Sequence, residues 1–144
     1  MAWGELVSAV RHKLRRSDRT HIPVRSQAVP DEWSLHGPVT TPPIDVFEND
    51  REFLVQADVP GATRENILIT CDERGKLSLW VKPQSLPRGM AYSTEYRAQA
   101  WHRGFTLPDA AERSAARAEL ADGVLSIRIP KRVRRPRVQP SFAR

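Results

Sequence analysis

Residues 118–131, Ala-Glu-Leu-Ala-Asp-Gly-Val-Leu-Ser-Ile-Arg-Ile-Pro-Lys, constrain the fold of this chain more than any other stretch. Ala118 and Leu120 alternate with Glu119. Asp122-Gly123 then interrupts the pattern, and Val124, Leu125, Ile127 and Ile129 run out to Pro130. Glycine takes positive φ without a Cβ penalty, so Asp-Gly between two alternating runs reads as a β-hairpin with a two-residue turn. Pro130 has no N–H to give to a ladder and ends the second strand. A hairpin of two strands is not stable alone in water; it needs a second sheet over its apolar face. The chain upstream has to provide that cover.

It carries the right pattern. Ile44 and Val46 open a short strand, and Glu48-Asn49-Asp50 turns the chain. Phe53, Val55, Ala57 and Val59 then alternate with Glu52, Leu54, Gln56 and Asp58, which predicts a strand with one buried face. Pro60-Gly61 stops it. Ile67, Ile69 and Cys71 share one face of the next strand; Asp72 to Gly75 turns; Leu77, Leu79 and Val81 make the strand after that, closed by Pro83. Cys71, on the inward face, reads as a small core residue, because apolar burial leaves a thiol inert. Residues 82–95 form the longest break, irregular in its first half, with Tyr92 to Arg97 able to pair as an edge strand. Ala98 to Pro108 is a further strand that puts Trp101, Arg103 and Phe105 on one side. A buried guanidinium needs a carboxylate or carbonyls, and Glu95 is a candidate. Asp109 to Ala116 turns into the last hairpin. Strands at this spacing, joined by turn signals, predict an all-β, immunoglobulin-like antiparallel β-sandwich over residues 42–131.

The flanks read differently. In residues 2–15, Trp3, Leu6, Val7, Val10 and Leu14 fall on one helical face, with Arg11, Lys13 and Arg15 elsewhere. So short a helix is marginal in isolation and forms best against something apolar: its own domain, a partner chain, a non-native protein or a lipid surface. Residues 17–43 keep no period and hold prolines at 23, 30, 38, 42 and 43, which predicts an extended, mobile linker with Trp33 and Leu35 as apolar points. The expected organisation is thus an arm over 1–41, the sandwich over 42–131 and a disordered basic tail over 132–144.

Charge follows the same division. The chain carries a formal +6, and residues 131–144 hold six basic and no acidic residues, so the excess sits in the tail and the sandwich is close to neutral. One cysteine excludes an intrachain disulfide or an all-thiolate metal site. No apolar run reaches the roughly 18 residues of a membrane span, and Glu5 breaks the N-terminus before a signal-type apolar block forms. A cytoplasmic location is the expectation. The four histidines, His12, His21, His36 and His102, lack metal-ligand spacing, and neither a phosphate loop nor a G-x-S-x-G pattern occurs. Neither an enzyme nor a cofactor or metal site is expected.

In chain order, several short stretches resemble the alpha-crystallin domain of the small heat-shock proteins. Asp58-Val59-Pro60-Gly61 resembles D-x-P-G, and Glu65-Asn66-Ile67 follows at the usual distance. Leu77-Ser78-Leu79 resembles L-x-I, and Tyr92 with Glu95 resembles the Y…E of a dimerisation loop. Arg103-Gly104-Phe105-Thr106-Leu107-Pro108 resembles R-x-F-x-L-P; Ala118 to Leu125 resembles A-x-x-x-x-G-V-L; Ile129-Pro130-Lys131 completes the series. Each match is weak alone, and together they cover about ninety residues in order.

The resemblance implies an ATP-independent holdase that binds partly unfolded proteins and limits their aggregation under stress. It implies a homodimer in which the 82–97 loop, with Tyr92 and Glu95, reaches a neighbour's sheet near Arg103. It implies client binding by the arm, through Trp3, Leu6, Val7, Val10 and Leu14, since burial of apolar surface at about 25 cal/mol per Å² needs no nucleotide. The family's C-terminal tail carries an I-x-I or V-x-I motif that plugs a groove on a neighbouring dimer. The best match in this tail is Val138-Gln139-Pro140, where Pro140 lacks both the bulk of isoleucine and a backbone N–H. Dimers or small oligomers follow from that departure. Two other partners stay open: a nucleic acid held by Lys131, Arg132, Arg134, Arg135, Arg137 and Arg144, and an anionic membrane surface under the first helix.

Overall fold

The alternation in the sequence resolves into two sheets packed face to face, each of five strands among the described residues. A computed structural model describes residues 19–27, 29–33, 39–83 and 100–133. The strands are β1 (Thr20–Ile22), β2 (Val24–Arg25), β3 (Val39–Thr40), β4 (Ile44–Glu48), β5 (Glu52–Asp58), β6 (Ile67–Cys71), β7 (Lys76–Val81), β8 (Ala100–Thr106), β9 (Arg117–Ala121) and β10 (Val124–Pro130). One sheet runs β1-β9-β10-β5-β4 and is antiparallel throughout. The other runs β2-β6-β7-β8-β3; its three central strands are antiparallel, and β2 and β3 pair with their neighbours in parallel.

The core is the set of alternate side chains that face the other sheet. Phe53, Val55, Ala57 and Val59 on β5 and the chain just beyond it, with Leu125, Ile127 and Ile129 on β10, meet Ile67, Ile69, Leu77, Leu79 and Val81 from the opposite sheet, all buried. Cys71 lies among them, also buried. Its thiol is pushed up from its ordinary value by burial, with the Arg113 charge pulling the other way.

Turn chemistry sets the registers. Val124 pairs with Ala121, which leaves Asp122-Gly123 as the two-residue loop, with φ of 49° and 76°. Two consecutive positive φ values twist the turn to match the right-handed strands. The Asn49 side chain accepts from the N–H groups of Arg51 and Glu52, both at 2.8 Å, and closes the β4–β5 hairpin. Asp72 does the same at β6–β7, accepting from Arg74 and Lys76 at 2.9 and 2.8 Å beside Gly75 at φ +83°.

Two features depart from the sequence reading. The stretch 17–43 is not only a linker. Its described part supplies β1, β2 and β3, with Ile22 only 1% exposed and Trp33 buried. These strands are two or three residues long and proline-separated, too short to show a period, and they exist because ready sheet edges pair them. Among the described residues the sheets therefore reach back to Thr20, ahead of 42, and β2 and β3 make one sheet mixed where an antiparallel one is expected. Second, Leu54 lies on the solvent-facing side of β5 yet is buried. Its cross-strand neighbours are Phe47 and Arg128. Arg128 is tied to Glu52 at 2.5 Å, so an aromatic ring and an arginine stem flank Leu54 on a face that water would otherwise reach.

Candidate functional site

β8 places Arg103 opposite Leu79, and Trp101 and Phe105 opposite Val81 and Leu77. Directly opposed residues share a face, so all three β8 side chains point toward the core side of the sheet. Trp101 and Phe105 pack against the core cluster, and Arg103 is half-buried between them. Among the described residues Arg103 has no ion pair or hydrogen bond. A half-buried guanidinium between two aromatic side chains is a strong donor set awaiting acceptors. Tyr92 and Glu95, its expected companions, lie outside the described residues.

The side of the sandwich where β9 and β6 would be bare edges is closed by the chain's own residues 19–25. Thr20, His21 and Ile22 pair with Leu120, Glu119 and Ala118 in one sheet. One residue later the chain has changed sheets: Val24 and Arg25 pair with Ile69 and Thr70. Ile22 and Val24 turn inward onto the core, and Pro23 between them is exposed. Arg19 reaches Glu119 at 3.6 Å on the outer side. Sequence reasoning looked for a groove-filling triplet only in the C-terminal tail. Ile22-Pro23-Val24, with two branched side chains flanking a proline, was the signal it missed.

A half-open cavity of about 530 Å³ lies beside this strap, walled in part by His21, Val24, Arg25, Cys71, Arg113 and Arg117. Arg113 donates from Nη1 to the Glu73 carbonyl, and its buried Nε has no partner among the described residues.

The outer face of the second sheet carries a further ring pair. Trp80 and His102 are cross-strand partners with ring centroids 3.8 Å apart. Burial, with a smaller contribution from Lys76, holds the His102 imidazole below its ordinary value. The ammonium of Lys82 lies 4.3 Å from the Trp33 ring centroid, which fixes the chain beyond the strap to the same sheet. Among the described residues no group of three or more His, Cys, Asp or Glu side chains could hold a metal ion, and no helix is long and apolar enough to cross a membrane.

The other sequence-predicted site residues fall outside the described residues: Trp3, Leu6, Val7, Val10 and Leu14 in the arm, and Val138 and Pro140 in the tail. Among the described residues the sandwich brings together Arg103 and its two aromatic neighbours.

Comparison with known proteins gives this geometry a lineage. The spore protein SP21 of Stigmatella aurantiaca is 31% identical over 106 residues, covering 72% of this chain and 60% of that protein. The 26.7 kDa chloroplastic heat shock protein of Oryza sativa is 30% identical over 94 residues, 62% of this chain and 39% of the relative. The chain thus spans less than two thirds of the length of either. Among solved structures, a small heat-shock protein from Xylella fastidiosa superposes with a TM-score of 0.63 at 30% identity, over 73% of this chain and 98% of that one. The hspA protein of Xanthomonas axonopodis gives 0.54 at 34%, over 67% and 97%. The sequence profile of the Hsp20/alpha crystallin family matches residues 45–141, a span that runs from β4 past the Asp-Gly hairpin. The chain belongs to the Hsp20/alpha crystallin family, the small heat-shock proteins.

Proposed function

We propose that the protein is an ATP-independent holdase of the cytoplasm, which binds partly unfolded proteins and limits their aggregation under stress. Family membership is the observation that carries this reading. The physics is consistent with it: a non-native chain offers apolar patches, and the face formed by Trp3, Leu6, Val7, Val10 and Leu14 can bury them without a nucleotide. The working unit is a homodimer in which the 82–97 loop, with Tyr92 and Glu95, crosses to a neighbour. Arg103 supports that part of the reading, because its half-buried guanidinium has no acceptor among the described residues. The exposed edge of β4, where Val46 is 56% exposed on the core-facing side of its strand, supports it too.

The test is light scattering of a heat-aggregating client with and without the protein, in the absence of ATP. Suppression at near-stoichiometric ratios, persisting in moderate salt, is the expected result. Failure to suppress, across clients and temperatures, overturns the reading. Steeply salt-dependent binding to single-stranded nucleic acid would then put the basic tail in its place.

A further inference from the structure

We propose that the half-open cavity at the exit of the strap binds a small phosphate monoester, with Arg25, Arg113 and Arg117 holding its phosphate and Val24 and Ala116 taking its organic part. The inference stands apart from client binding and rests on where three arginines are placed.

The cavity lies past the ends of the ladders. β2 ends at Arg25, β6 ends at Cys71 and β9 starts at Arg117, so the backbone diverges here and leaves a space of about 530 Å³. Sites for small organic ligands run from about 300 to 1,000 Å³, and a phosphate group alone would leave most of this one empty. Three separate segments each bring one arginine to its wall. Arg25 comes from β2, Arg113 from the short 3-10 turn Arg113–Ala115, and Arg117 from the first position of β9. None of the three forms an ion pair among the described residues, although Arg19, Arg128 and Arg132 all do. The carboxylates in the lining do not claim them. Asp72 accepts through Oδ1 from the backbone N–H groups of Arg74 and Lys76, and Glu73 is exposed.

Arg113 is fixed in place before any ligand arrives. Its Nη1 donates to the Glu73 carbonyl, and its guanidinium lies against Gly75, where an added Cβ would stand 3.2 Å from both Cζ and Nε. Nε is buried and has no partner among the described residues. An unpaired donor on a charged group costs free energy that an anion beside it recovers. The same charge reaches Cys71: burial raises the thiol, and Arg113 pulls it back.

The arrangement selects the ligand class. A carboxylate is planar, and its two oxygens are satisfied by one guanidinium fork. Three arginines from three directions suit a tetrahedral dianion with three oxygens to share. Val24 is partly buried and Ala116 buried, and they give the cavity an apolar wall that inorganic phosphate would leave unused.

The experiment is a calorimetric titration of the full-length chain at low salt with phenyl phosphate, inorganic phosphate and benzoate. Labelling of Cys71 by N-ethylmaleimide gives a local readout, since it is the only cysteine in the chain and lines the cavity. Phenyl phosphate should bind once per chain, about fivefold tighter than inorganic phosphate and about tenfold tighter than benzoate, and should slow the labelling. Arg25→Gln combined with Arg117→Gln, at two exposed positions, should weaken phenyl phosphate about tenfold and remove its effect on labelling. Arg51→Gln combined with Arg64→Gln makes the same charge change at exposed positions elsewhere and should leave both readouts at wild type. Absence of binding overturns the proposal. So does binding that the Arg25 and Arg117 variant leaves unchanged, since the anion would then sit elsewhere, on the basic tail. Equal affinity for inorganic phosphate and phenyl phosphate overturns the ester assignment. The readouts are a bound anion and a thiol, so their failure says nothing against the holdase reading, and failure of client protection says nothing against the anion site.

Discussion

The backbone N–H of Val59 donates to the carbonyl of Gly123 across 2.8 Å, joining the Asp-Val-Pro-Gly turn after β5 to the Asp-Gly turn between β9 and β10. The two turns are far apart in sequence and lie at the same end of one sheet, because β10 pairs with β5 along seven residues. The approach is close: a Cβ built on Gly123 would sit 3.1 Å from the Pro60 Cα, with φ at +76°.

Gly123→Ala should therefore destabilise the sandwich by two routes, left-handed strain and a backbone contact that neither turn can relieve alone. The expected loss is about 2 kcal/mol, since the left-handed region alone costs an L-residue about 1–2 kcal/mol. Urea denaturation of the variant checks it. A midpoint equal to wild type would mean that the two turns are not rigidly apposed.

Arg103→Ala should weaken the dimer by about tenfold or more in Kd, roughly 1.4 kcal/mol, while circular dichroism keeps its β signature. No described residue pairs with Arg103, so none of the described ion pairs is lost with it. Arg103→Lys should recover only part of the loss, as an ammonium cannot present a planar fork of donors. Sedimentation velocity across concentrations reads both variants. Wild-type association by the alanine variant would remove Arg103 from the interface.

His102 gives a pH dependence whose sign follows from its environment. Its pKa in the folded chain lies below the ordinary 6.5, because burial disfavours the charged ring. The unfolded chain therefore binds this proton more readily. Stability is full above 6.5, falls as pH drops below it, and levels off once the folded-state pKa has been passed. His102→Gln should flatten that part of the profile of urea midpoints. The Trp80 stack offers a second readout, a change in tryptophan fluorescence over the same pH range that the variant lacks.

Ile22→Ala should cost about 2–5 kcal/mol, the range for truncating a fully buried branched side chain, although Ile22 belongs to a strand of three residues. Val46→Ala, at a position 56% exposed, should stay within about 0.5 kcal/mol. Loosening the strap should also speed modification of Cys71, the only cysteine in the chain, which lines the cavity beside it. Slow labelling in both the wild type and Ile22→Ala would mean that the strap does not guard that end of the core.

Legibility in the sequence tracked how far each feature is local. The β9–β10 hairpin could be read because Asp122-Gly123 and the alternation on either side state the same geometry. β5 through β8 could be read for the same reason, and so could the shared face of Trp101, Arg103 and Phe105. The strap could not. β1 and β2 have no period to show, and their stability comes from edges contributed by residues about 45 and 100 positions away. Nor could the burial of Leu54 be seen, since it depends on Phe47 and Arg128 meeting over it from two other strands. The companions expected for Arg103, Tyr92 and Glu95, rest on the resemblance alone and lie outside the described residues.

The strap also relocates the boundary of the arm proposed to bind clients. A cut at residue 40 would remove β1, β2 and β3 together and leave β9 and β6 with bare edges. Its effect on client protection would then mix loss of the arm with damage to the sandwich. Deletion of residues 1–18 avoids this, since every described strand starts later. It removes Trp3, Leu6, Val7, Val10 and Leu14 and keeps Ile22 and its ladder. This variant should hold the wild-type urea midpoint within about 0.5 kcal/mol and lose most of its suppression of client aggregation. Deletion of residues 1–27 should lose both. If the shorter deletion protects a client as well as the full chain does, the arm is not the binding surface, and the edges of the sandwich become the place to look.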